Sequence, residues 1–158
     1  MCMFSLLFTT GSVLAQGTEK EQRIKGSYMI AFGRLPSSGE LSYWNGQGNY
    51  SVGQLVDNHK GYISSDAGTK PSVITKSYND AFGRNPNAGV LKYWSQYSQS
   101  YTELVNAHVQ GLTSNSREYV DVIKRSYVKV FRRQPSAGEI NFWKAKPYSY
   151  CTTVGLPR

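Results

Sequence analysis

The residues of this chain whose types could do chemistry are few, and they recur at matching places. His59 and His108 each sit on what reads as the apolar side of a helix. A metal site or an acid–base pair there would need further His, Asp or Glu at ligand spacing. Asp57 and Asn58 precede the first histidine, Asn106 and Ala107 the second, so each is expected to be a core histidine donating one hydrogen bond. Arg34, Arg84 and Arg133 recur just past an expected helix end, where a cation favours the helix dipole and can reach terminal carbonyls. Glu40 and Glu139 are available to pair with the first and third, whereas Val90 removes that partner from the second. The structural reading of these arginines is preferred over a binding role. The sequence holds no Ser-His-Asp arrangement with a nucleophile elbow, no phosphate loop and no Gly-Asp-rich calcium repeat. No catalytic, metal-binding or cofactor-binding residue is therefore expected, and the chain is read as a non-enzyme.

Two other sets of side chains point to binding. Tyr43-Trp44, Tyr93-Trp94 and Phe142-Trp143 are adjacent pairs, and neighbours on a helix point about 100° apart. The tryptophans match Leu41, Leu91 and Ile140 in spacing and are expected to be the core members. Tyr43 and Tyr93 are left as partly exposed candidate sugar contacts. The second set is Lys124, Arg125, Lys129, Arg132 and Arg133, in the sector opposite Ile123, Tyr127, Val130 and Phe131. This sector is either an ordinary solvated face or a docking surface for an anionic polymer. The formal net charge of +8 is concentrated in this last third, which favours weighing the second reading.

The elements that position these groups follow from a repeat. Tyr28, Phe32, Gly33, Arg34, Pro36, Gly39, Leu41, Tyr43 and Trp44 return as Tyr78, Phe82, Gly83, Arg84, Pro86, Gly89, Leu91, Tyr93 and Trp94. A third copy runs from Tyr127 to Trp143, with Arg132 where the others have glycine. A period of about 50 residues marks a modular array. Each unit reads as three short helices. Ile24, Tyr28, Ala31 and Phe32 form one apolar face at helical period, as do Ile74, Tyr78, Ala81 and Phe82. Gly33 and Gly83 suit a left-handed helix end, and the following prolines stop the helix. Ser37, Asn87 and Ser136 cap a second helix, with Glu40 and Glu139 completing capping boxes. Ser51 with Gln54, and Ser100 with Glu103, open a third helix in units one and two. The expected fold is all-α: unit 1 over residues 19–66, unit 2 over 70–115, and a partial unit 3 with an irregular tail over 116–158. Unit 3 offers its apolar face without a third helix, so it is expected to pack back on unit 2 or to pair with another chain.

Residues 1–15 read as a signal peptide, being apolar or small, uncharged and ending in Val13-Leu14-Ala15. Cleavage there would remove Cys2 and leave Cys151 alone, with no disulfide framework expected, and Cys2 lacks the preceding Leu-x-small run of a lipoprotein box, so no lipid anchor is expected. The run is shorter than the roughly 20 apolar residues a membrane span needs, so none is expected in the mature chain. Export to the periplasm, medium or cell surface is the expected localisation. A protein partner or an envelope polysaccharide is the expected ligand, and nucleic acid is not.

The phrase Tyr-x3-Phe-Gly-Arg-x-Pro-x2-Gly-x-Leu-x-Tyr-Trp resembles the repeat of the bacterial domain of unknown function 4214 family, over roughly Arg23 to Trp143. The resemblance implies an exported or surface-associated α-helical module, related in its Gly-Arg-x-Pro turn to phycobilisome linker domains. It brings no catalytic residues. This chain departs from the pattern in having Ser or Asn where the family often has Asp after the proline, and in its shortened last unit.

Overall fold

The computed structural model describes residues 18–146. The expected signal segment 1–15, Cys2, Cys151 and the tail after Lys146 lie outside the described residues. Those residues form eight α-helices and no strand: α1 (Glu19–Phe32), α2 (Ser38–Gly46), α3 (Val52–Ser65), α4 (Thr69–Phe82), α5 (Ala88–Trp94), α6 (Tyr101–Ser114), α7 (Ser116–Phe131) and α8 (Ala137–Lys144). The fold class is all-α.

Local chemistry sets the helix ends. Ser37, Ser51, Ser100 and Ser136 each accept from the backbone three residues on, while Glu40, Gln54, Glu103 and Glu139 reach back to the cap backbone. Two orphan amides per helix are satisfied in this way. Gly33 and Gly83 close α1 and α4 at φ +68° and +67°. Arg132 closes α7 in the same left-handed conformation at φ +57°, the one described non-glycine residue to do so. A side chain there costs roughly 1–2 kcal/mol, so the turn is imposed by its surroundings.

The core joins the units. Ile24, Tyr28, Ala31 and Phe32 of α1 pack with Leu55 and Ile63 of α3, Val73 and Ile74 of α4, and Leu104 of α6. Helix α6 therefore serves two neighbours: it packs on α4 and on α1. The first-unit turn is shaped for it, since a Cβ on Gly33 would stand 2.5 Å from the Tyr101 ring. Tyr101 also donates its hydroxyl proton to Asp80, Thr102 donates to the Ile30 carbonyl, and Lys60 pairs with Glu103. A second cluster holds Tyr78, Ala81 and Phe82 with Leu112, Tyr119, Val122, Ile123 and Tyr127. Unit 3 thus packs back on unit 2 through α7.

Two expectations need adjustment. The second helix of each unit buries no residue fully; Leu41, Trp44, Leu91, Trp94, Ile140 and Trp143 are half-buried and pack on the core from outside. The reason is length, because seven to nine residues make a lid with one apolar stripe and no second layer above it. Phe131 is 49% exposed although its counterparts Phe32 and Phe82 are buried. Those two rest against His59 and His108 from the third helix, which has no counterpart among the described residues of unit 3.

Candidate functional site

The histidines are part of the fold. His59 and His108 are each 2% exposed. His59 Nε2 lies 3.1 Å from Ser27 Oγ, and His108 Nε2 lies 3.3 Å from Ser77 Oγ. Each serine directs its own proton to a carbonyl of its helix, Ile24 or Ile74. The serine oxygen is therefore the acceptor, and Nε2–H of each neutral ring donates. Burial pushes both imidazoles down to about 4, so they stay uncharged at neutral pH. Tyr28, Phe32 and Trp44 surround His59, as Tyr78, Phe82 and Trp94 surround His108. Sequence reasoning missed the serines, although Ser27, Ser77 and Ser126 precede the repeated tyrosine in every unit and all three are buried. Among the described residues, no group of three His, Cys, Asp or Glu is placed to hold a metal.

The arginines act on the turns, but not identically. Arg34 forms a fork with Glu40 at 2.7 and 2.8 Å, and Arg133 forms the same fork with Glu139. The guanidinium holds Glu40 down to about 2 against the opposing effect of burial, and Glu139 likewise. Arg34 also stands 5.4 Å above the Tyr28 and Phe32 rings. Where Val90 removes the carboxylate, Arg84 turns to Glu118 at the start of α7. Glu118 is shared with Arg125, which also donates to the Phe82 carbonyl at 2.8 Å.

That engagement divides the basic face of α7. Arg125 is tied to the junction with unit 2, and Arg133 to Glu139. Lys124, Lys129 and Arg132 remain exposed and line a groove of about 400 Å³ with Gly83, Val128 and Gln134. The five cations therefore stand on one helix and its end, but three of them are available to an anion.

Tyr43 and Tyr93 are 60% and 52% exposed, in line with the sequence reading, yet their surroundings differ. Tyr43 borders a cleft of about 620 Å³ between α1, α2 and α3. Trp44, Tyr50 and Tyr62 bring further rings to it, Arg34 and Glu40 form one wall, and Gln47 and Asn58 add amides. The rim is held in place. Lys20 donates to the carbonyls of Asn45 and Gln47, and Arg23 donates to the Asn49 side chain. Trp44 donates its indole proton to the Tyr28 hydroxyl at 3.1 Å, which fixes the floor. Asn58 and Tyr62 lie four apart on α3 and so share a face.

Sequence reasoning missed Gln47, Tyr50, Asn58 and Tyr62 because it looked for residues that repeat. Three of them do not: Gln99, Ala107 and Gly111 stand where Tyr50, Asn58 and Tyr62 would recur. Their divergence within an otherwise matching frame was the available signal. Comparison of the chain with protein-family models, with curated proteins and with solved structures gives no match.

Proposed function

We propose that this chain is a non-catalytic interaction module of an exported or cell-surface protein, acting through exposed surfaces carried on a helical array. One observation carries the reading: most repeated side chains are engaged in turns, caps and core, while the open cleft of unit 1 adds to the repeated Tyr43 and Trp44 the exposed, non-repeating side chains of Tyr50, Asn58 and Tyr62. His59 and His108, the groups best suited to proton transfer by type, are buried, neutral and bonded to serines. Export is supported by the uncharged apolar stretch ending at Ala15. The test pairs retention with turnover. The folded chain should bind saturably to isolated cell-envelope fractions and release no product from ester, phosphate or glycoside substrates. Turnover abolished by His59→Gln or His108→Gln would overturn the non-catalytic reading.

A second surface is favoured by a separate observation, the three exposed cations Lys124, Lys129 and Arg132 along one groove. An anionic envelope polymer fits that groove, and its binding would weaken steeply with salt. Substituting Lys124 and Lys129 with Gln should remove it.

A further inference from the structure

We infer that the unit 1 cleft is a binding site for a neutral saccharide; the inference rests on the reading that the chain acts by binding. The cleft joins two kinds of lining that such a ligand needs. Tyr43, Tyr50 and Tyr62 keep 60%, 36% and 55% of their surface in water after folding, and all three border the same cavity beside Trp44. Exposed rings gathered around one concavity leave apolar area that a ligand can cover. A pyranose has C–H groups across one face and hydroxyls around its edge, so it lies on such a ring and still needs polar partners at its rim.

Those partners are present. Asn58 and Gln47 offer an amide each, with both donor and acceptor, and the side chains are exposed at the mouth. Arg34 uses three donor contacts, two to Glu40 and one to the Leu35 carbonyl, which leaves N–H groups of a five-donor guanidinium unused. Glu40 locks the arginine in one orientation, so its donors are fixed before a ligand arrives.

Charge selects among ligands. Arg34 and Glu40 neutralise one another, and among the described residues no other charged side chain lines the cleft. An anionic polymer gains nothing here that it would not gain more strongly on α7. A purely apolar ligand would cover the rings but leave the amides and guanidinium donors desolvated without partners, which costs about 1–3 kcal/mol for each group. A cleft of about 620 Å³ has room for a short oligosaccharide. Unit 2 keeps Tyr93 and Trp94 with Tyr97 beside them, but Val90, Ala107 and Gly111 stand where unit 1 has Glu40, Asn58 and Tyr62, so the carboxylate that fixes the arginine and the amide and ring of α3 are missing. Among the described residues, one such site follows.

The test is calorimetric titration of the full chain with a panel of neutral oligosaccharides: gluco-, manno-, galacto- and N-acetylglucosamine oligomers in α and β linkages. At least one should bind at a stoichiometry of one, with Kd tighter than about 1 mM and little dependence on salt. Tyr62→Ala and Asn58→Ala should each weaken it about tenfold or more while the melting curve is unchanged, because both side chains are exposed. Tyr97→Ala, at an exposed ring of unit 2, should leave it unaltered. A panel without a binder overturns the inference, as does binding that survives Tyr62→Ala. Binding that requires Lys124 and Lys129 and falls with salt moves the site to α7 and leaves the non-catalytic reading intact. Shortened oligosaccharides appearing during titration would overturn the non-catalytic reading while keeping the cleft.

Discussion

Units 1 and 2 are built on one plan and differ in what they leave open. Both enclose a histidine between a tyrosine, a phenylalanine and a tryptophan, bond it to a buried serine, and close the first helix on a left-handed glycine. Unit 1 pairs its turn arginine within the unit, through Glu40; unit 2 pairs it outward, through Glu118 of α7. The residue matching Glu118 at the start of α4 is Thr69, which borders the unit 1 cleft without a charge. The same arginine thus shapes a cleft wall in one unit and ties the next helix in the other. The buried side chains repeat, whereas the exposed ones at Asn58 and Tyr62 give way to Ala107 and Gly111 in the second copy.

The strongest test of that equivalence is acid. Both histidines are held at about 4, below the 6.5 expected in the unfolded chain, because burial disfavours the imidazolium. The unfolded chain therefore binds more protons below pH 6.5, and stability present above that pH is lost as it falls towards 4. Each histidine accounts for about 3 kcal/mol over this window. Replacing one of them, as in His59→Gln, should roughly halve the pH slope measured by urea unfolding between about pH 6.5 and 5.5, above the range in which Glu40 and Glu139 take up protons on unfolding. A slope that stays whole would show that the two sites are not equivalent.

Next in size is a core truncation. Ile24→Ala and Ile74→Ala should each cost about 2–5 kcal/mol. Both residues lie in one cluster with Leu104, so unfolding should remain a single transition for units 1 and 2 in either variant. Two resolved transitions in calorimetry would mean that the units melt separately and that α6 does not join them.

Gly33→Ala should cost at least about 1–2 kcal/mol, since φ is +68° and the added methyl would meet the Tyr101 ring. Gly39→Ala, at an open helical position, should instead raise stability by about 0.5–1 kcal/mol. Thermal melts of the pair would show whether the inter-unit contact at Gly33 is as tight as the geometry requires. The smallest effect separates two cations on α7. Lys129→Gln should change stability by less than about 0.5 kcal/mol. Arg125→Gln should cost more, because it removes the bonds to the Phe82 carbonyl and Glu118 that join α7 to unit 2. Equal melting temperatures for the two would return Arg125 to the solvated face.

The sequence by itself determined the all-α class, the helix order and the turn chemistry. The physical reason is range: a cap such as Ser37 with Glu40, or the left-handed position of Gly33, involves residues a few places apart, and their types dictate the geometry. Periodicity likewise placed Ile24, Tyr28 and Phe32 in the core. Tertiary structure decided the rest. Nothing in the repeated phrase says that Tyr101 presses on Gly33, that Arg125 reaches Phe82, or that Arg84 takes Glu118 from the next helix. Those pairs are 34 to 68 residues apart, and several partners of suitable chemistry compete for each until packing selects one. The cleft is the clearest case. Gln47, Tyr50, Asn58 and Tyr62 come from a loop and a helix that share no sequence signature, and only the crossing of α1, α2 and α3 brings them around one cavity.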